Sequence, residues 1–107
     1  MQAILICNAG MSSSLMAKKV SEQLKRDGYD IKVNATTIGN SEAVFRNADY
    51  QLVLVSPQIR MLFDEYQQKA EKMGKQIAQI PFNAYAPTPM GIKNMETIIL
   101  NQIEGKI

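Results

Sequence analysis

The chain has 107 residues, 46% hydrophobic and 21% charged, with a net charge of +2: one globular domain, able to bury roughly two-thirds of its unfolded surface. That charge is too small to argue for nucleic acid, no apolar run approaches the roughly 18 residues of a bilayer span, and the start lacks a signal-peptide pattern. One cysteine excludes an internal disulfide and fits a reducing, cytoplasmic setting; zero histidines exclude a Cys-His hydrolase, a His-type or multi-Cys metal site and a phosphohistidine on this chain.

Ala3-Ile4-Leu5-Ile6 is too short an apolar run for a helix and predicts a buried strand. Leu15 to Arg26 carries Met16, Val20 and Leu24 at four-residue spacing with Lys18, Lys19, Lys25 and Arg26 elsewhere, an amphipathic helix. Asp27-Gly28 marks a turn. Ile31, Val33 and Ala35 alternate with Lys32, Asn34 and Thr36, a strand with one wet face. Between Ile38 and Ala48, Asn40 or Ser41 would cap a short helix carrying Val44 and Phe45. Leu52-Val53-Leu54-Val55 reads as a central strand, ended by Ser56-Pro57. The next helix buries Ile59, Leu62, Phe63, Tyr66, Ala70 and Met73 and closes at Gly74. Gln76 to Ile80 gives a fourth strand. Pro81 to Pro89 is too proline-rich to be helical, and a last helix from about Met90 aligns Ile92, Met95, Ile99 and Ile103. Most methionines fall on these stripes and read as core filling.

Strands alternating with helices predict an α/β fold: an open four-stranded parallel sheet with helices on both faces. The wholly apolar first and third strands belong at the centre and the mixed second and fourth at the edges, so right-handed crossovers favour the order 2-1-3-4. Winding then reverses between strands 1 and 3, and ligands of such sheets bind at that switch point, beyond the carboxyl ends of the strands.

The loop that falls there is Cys7-Asn8-Ala9-Gly10-Met11-Ser12-Ser13-Ser14. Its chemistry suits an anion. The first amides of a helix lack partners within it and carry the positive end of its dipole. Gly10 permits a tight turn in which successive amides form a nest, and Ser12, Ser13 and Ser14 offer a cap and spare hydroxyls. The same field favours a thiolate at Cys7. A nucleophilic sulfur beside a cradle sized for phosphate points to a phosphocysteine, although a lone cysteine after a buried strand also reads as a small core residue.

This loop resembles that of the IIB components, of the lactose/cellobiose/chitobiose type, of the bacterial phosphoenolpyruvate-dependent sugar phosphotransferase system. The resemblance runs over essentially the whole chain, 1–107, as a single IIB-type domain, and includes Ser56-Pro57-Gln58 after the third strand. It implies a phosphoryl relay without cofactor or metal. Cys7 would accept a phosphoryl group from a phosphohistidine of a IIA protein and give it to a sugar bound by the membrane-embedded IIC permease. Amides and hydroxyls of Asn8, Ala9, Gly10, Met11, Ser12, Ser13, Ser14 and Leu15 would hold the phosphoryl oxygens, with Gln58 and Tyr85 at the rim. It implies a cytoplasmic protein, monomeric when free and drawn to the inner membrane face by the permease.

Low-molecular-weight tyrosine phosphatases also resemble this strand-Cys-loop-helix plan, with a Cys-x5-Arg-Ser loop. Here the position six after Cys7 is Ser13, so the bidentate arginine is missing, and Phe82 to Met90 contains no acidic residue to act as general acid. Arsenate reductases of related plan need further cysteines. A non-enzymatic anion-binding or redox thiol domain is the third reading.

Overall fold

A strand covered on both faces needs apolar residues on both sides of its pleat. Gln2–Cys7 (β1) and Tyr50–Val55 (β3) have them. The computed structural model, which describes residues 1–8 and 13–104, sets these two strands side by side at the centre. Lys32–Thr37 (β2) flanks β1 and Gln76–Gln79 (β4) flanks β3, giving the order β2-β1-β3-β4 with every pair parallel. The order expected from strand polarity is the order found. Of the residues singled out above, Ala9, Gly10, Met11 and Ser12 lie outside the described residues.

Two apolar layers cover the sheet. Ala3, Leu5, Leu52 and Leu54 meet Met16, Val20 and Leu24 of α1 (Ser13–Arg26) and Met95 and Ile99 of α4 (Pro89–Glu104). Ile4, Ile6, Val53 and Val55 meet Val44 and Phe45 of α2 (Ser41–Arg46) and Tyr66 and Ala70 of α3 (Phe63–Lys72). The rings of Phe45 and Tyr66 lie 5.4 Å apart. Fully burying one Leu or Ile side chain contributes roughly 1.5–3 kcal/mol, so these layers, and not surface ion pairs, hold the helices to the sheet. Gly28 and Gly74, at φ 91° and 70°, end α1 and α3. The amides one residue further on, Tyr29 and Lys75, donate back to Leu24 and Ala70 at 2.9 and 2.8 Å, a helix end that requires the left-handed residue.

Several local expectations are corrected. The helix expected from Ile59 begins as a 3-10 segment, Pro57–Leu62, with Ile59 at φ −118°, ψ 27°. Pro57 has no amide hydrogen and a fixed φ, so the first turn tightens and the Ile59 amide donates to the Ser56 carbonyl at 3.2 Å. Met73 is exposed, because α3 has ended at Lys72 and Met73 lies beyond its last turn. Asn40 precedes α2 without capping it; its side chain donates to Thr36 Oγ1 instead. Pro81 to Pro89 includes a 3-10 turn, Phe82–Ala84, and Pro89 opens α4. The reading of methionine as core filling holds for Met16 and Met95 and fails for Met61, Met73 and Met90, all exposed.

Candidate active site

β1 ends at Cys7, opposite Thr37 of β2, with β3 running along its other side. The chain moves outward from β1 to β2 and then crosses to β3, so Cys7 stands where the winding reverses, at the carboxyl end of the sheet. Alternation along β1 puts it on the face of Ala3 and Leu5, beneath α1 and α4. Its thiol donates to Ser13 Oγ at 2.7 Å and approaches the Thr36 carbonyl at 3.5 Å. Ser13 is the first residue of α1 and is itself buried. The chain that leaves Cys7 therefore returns to it six positions later, and the sulfur is held at the amide end of a helix, where negative charge is favoured.

Tyr85 feels this pair electrostatically. Its hydroxyl is closed off from solvent and makes no hydrogen bond of good geometry among the described residues. Burial pushes its pKa up to about 12, the charge of Cys7 pushes the same way, and the Ser13 hydroxyl opposes them. The phenol therefore remains a protonated donor throughout the neutral range. Its backbone is set by the Phe82–Ala84 turn, whose last amide bond runs from Tyr85 to the Phe82 carbonyl at 3.1 Å. The first turn of α4 presses on the next residue: a Cβ at Gly91 would run into the Ala86 carbonyl. Thr88 fixes that turn, its hydroxyl accepting from the Gly91 amide at 3.1 Å.

The remaining sequence-predicted residues divide. Asn8 is half-buried, and Ser14 and Leu15 are exposed on the first turn of α1. Gln58 lies at the same end of the sheet, its Oε1 buried without a donor among the described residues. It lines, with Arg60, Met61, Gln79 and Phe82, a groove of about 820 Å³ beyond the carboxyl ends of β3 and β4. Arg60 sits over the Phe82 ring, 6.0 Å from its centroid. Gln79 went unnoticed in the sequence, yet its Nε2 donates to the carbonyls of Val55, Ser56 and Ile80 at 3.0–3.3 Å, tying the ends of β3 and β4 together. Only its place as the last residue of a short strand could have hinted at this. Among the described residues no three His, Cys, Asp or Glu side chains converge on a metal-sized site, and no helix is long and apolar enough to cross a membrane.

Residues 2–101 match the family model described as "PTS system, Lactose/Cellobiose specific IIB subunit". The oligo-beta-mannoside-specific EIIB component of Bacillus subtilis is 32% identical over 82 residues, 77% of this chain and 78% of that one. The lactose-specific EIICB component of Staphylococcus epidermidis is 25% identical over 76 residues, 71% of this chain but 13% of that longer protein. Among solved structures, the lactose-specific IIB domain of Streptococcus pneumoniae superposes with a TM-score of 0.74 at 17% identity, covering 97% of this chain and 98% of that domain. The cellobiose-specific IIB component of Borrelia burgdorferi gives 0.70 at 24% identity, with 99% and 94% covered. At these identities the structural likeness speaks for the fold alone.

Proposed function

Since the chain belongs to the lactose/cellobiose-specific IIB subunits of the sugar phosphotransferase system, we propose that it carries a phosphoryl group on Cys7 between a IIA donor and a sugar held by a IIC permease. In the first step Cys7 Sγ attacks the phosphorus of a phosphohistidine. The S–P bond forms, the P–N bond breaks, and the thiol proton ends on the departing imidazole. In the second step a sugar hydroxyl oxygen attacks the same phosphorus. The O–P bond forms, the S–P bond breaks, and the hydroxyl proton returns to the thiolate. The chain has no histidine, so the phosphohistidine must come from another protein.

The observation that carries this reading is the sulfur held 2.7 Å from Ser13 Oγ at the amide end of α1, at the switch point of the sheet. On this reading a phosphoryl group there would meet uncharged donors: the amides and hydroxyls expected of the loop from Asn8 to Leu15, with Gln58 and Tyr85 at the rim. The arginine of the phosphatase loop has its counterpart in Ser13, so the site can hold a phosphoryl group without the charge that would speed its hydrolysis. The relatives named for lactose, cellobiose and oligo-beta-mannoside support a β-linked disaccharide or oligosaccharide as the final acceptor. The joined EIICB relative supports a permease as the second partner and the cytoplasmic face of a membrane as the place of work.

Intact mass after incubation with a phosphorylated IIA protein tests the relay. One added phosphoryl group is expected on the wild type and none on Cys7→Ser. Stable label on the variant would move the carrier site elsewhere.

A further inference from the structure

We propose that Tyr85 is a hydrogen-bond donor to the phosphoryl group on Cys7, left without a partner in the unphosphorylated chain and satisfied when the group arrives. This rests on the carrier reading above. The Tyr85 hydroxyl is fully buried and has no acceptor of good geometry among the described residues. Buried hydroxyls are ordinarily bonded, and an unbonded one is costly. Tyr85 packs against the α1/α4 layer over Ala3 and Leu5, the β1 face that Cys7 shares, and Cys7 and Ser13 are the two side chains that act on its ionisation. The Ser13 hydroxyl accepts from the Cys7 thiol and makes no bond of good geometry with the phenol. Conversion of that thiol to a phosphothioester removes its proton and brings phosphoryl oxygens with several lone pairs to the sulfur, beside Ser13. Tyr85 O–H then has an acceptor, and Ser13 O–H becomes a second donor.

The neighbourhood holds the phenol in place for this. Ala84 is fully buried in the α1/α4 layer, the Phe82–Ala84 turn precedes Tyr85, and Gly91 lets α4 close directly on Ala86. The hydroxyl stays protonated well beyond neutral pH, so it donates in every physiological condition. A neutral donor binds the phosphoryl group less tightly than a guanidinium would, which suits a site that must release it.

The experiment compares wild type with Tyr85→Phe, before and after phosphorylation by the IIA donor. In the unphosphorylated state Tyr85→Phe is expected to melt at or above the wild-type temperature, since it loses only an unbonded hydroxyl. Phosphorylation is expected to raise the melting temperature of the wild type, and Tyr85→Phe to lose most of that rise. Its phosphocysteine should survive about five- to tenfold less long, the worth of one hydrogen bond, with an altered 31P shift. An equal rise, lifetime and 31P shift in both proteins would overturn the inference and leave the carrier reading standing. Equal destabilisation of both states would make Tyr85 a packing residue and also overturn it. Failure of the wild type to take phosphate on Cys7 would overturn the carrier reading itself. The 13Cζ resonance of Tyr85 in the unmodified wild type provides a check free of substitution: it should move on phosphorylation, and a stationary resonance refutes the contact.

Discussion

Ser13 stands six positions after Cys7, and its side chain touches the sulfur at 2.7 Å. In the free chain it accepts from the thiol; once the sulfur is anionic or phosphorylated, the same hydroxyl can turn and donate. A hydroxyl is suited to this because its hydrogen rotates to whichever partner is present. Removing it leaves the Cys7 thiol buried without its nearest acceptor, at a cost of about 1 kcal/mol. Ser13→Ala is therefore expected to fold, to melt slightly lower, and to accept the phosphoryl group about tenfold more slowly. Ser13→Thr, which keeps the hydroxyl, should recover most of that rate. Stopped-flow transfer from phosphorylated IIA would measure both; an Ala variant as fast as wild type would reduce Ser13 to a helix-start residue. The sequence made Ser13 visible as a member of the loop but not as the contact of Cys7. Its two serine neighbours looked equivalent, and only the direction in which the helix leaves the strand decides which hydroxyl faces the sulfur.

At the scale of elements, α1 and α4 cross on one face of the sheet and meet through a charged cluster. Lys93 Nζ lies 3.5 Å from Glu96 Oε1 and 3.7 Å from Asp27 Oδ2, and Gln23 Nε2 donates to the same Asp27 oxygen at 3.1 Å. Glu96 is buried, and no donor among the described residues reaches its Oε2. Burial raises the pKa of Glu96, and the hydrogen bond and charge of Asp27 raise it further, against the pull of Lys93. Asp27 is lowered, first by the hydrogen bond with Glu96 and then by Gln23, with Lys93 helping. When Glu96 is protonated, its proton is shared toward Asp27. A carboxyl whose pKa is raised in the folded chain favours folding while both states are protonated, and each rise in pH erodes this once the unfolded chain has released a proton that the folded chain still keeps. That contribution is complete at low pH and is lost as pH rises from the ordinary glutamate value through the folded one. Asp27 acts in the opposite sense, its contribution lost as pH falls through its lowered value. Glu96→Gln keeps a neutral donor toward Asp27 at every pH. It is expected to be more stable than wild type by about 1 kcal/mol at pH 7–8, and to match it near pH 4. Melting curves across that range would show this, and a variant lower at every pH would refute it.

Much of this scale was readable beforehand. The continuous apolar runs of β1 and β3 against the alternation in β2 were enough to order the sheet, because an edge strand has one face only partly covered while a central one has neither exposed. Gly28 and Gly74 were readable as stops. The path of residues 81–89 was not. It depends on Gly91 closing on Ala86 and on Gln79 bonding three carbonyls, contacts between elements that no local pattern encodes. With that path hidden, Tyr85 could be placed at the right end of the sheet, but the burial of its unbonded hydroxyl could not be foreseen.

For the whole molecule, the exposed methionines change what the surface around Cys7 means. Leu15, Ile38, Met61, Phe82 and Met90 are all exposed large apolar residues, and each follows the carboxyl end of a strand or opens a helix at that end. Met61, Phe82 and Met90 are between 62% and 74% exposed, far more than isolated placement in a fold this size demands. Single exposed apolar residues need no explanation; several gathered at the end of the sheet that carries Cys7 do. On the carrier reading proposed above, the chain offers its sulfur to two partners in turn, and flexible methionine side chains can repack against differently shaped surfaces. Arg60, stacked over Phe82, adds a positive charge to the rim suited to an acidic patch on the phosphohistidine donor, whose phosphoryl group is itself anionic. Replacing Met61 and Phe82 together by Ser leaves the described hydrogen bonds of the Cys7 site untouched. The melting temperature is expected to stay within a few degrees of wild type, because neither side chain is buried in the two core layers. Transfer from phosphorylated IIA should fall about tenfold or more in kcat/KM, chiefly through KM, since exposed apolar anchors at the centre of an interface each carry roughly 1–2 kcal/mol. Titration of the donor against the variant separates the cases. A raised KM with kcat preserved marks the rim as the docking surface, whereas unchanged kinetics would assign these residues to another partner and return the donor to a face of the molecule away from them.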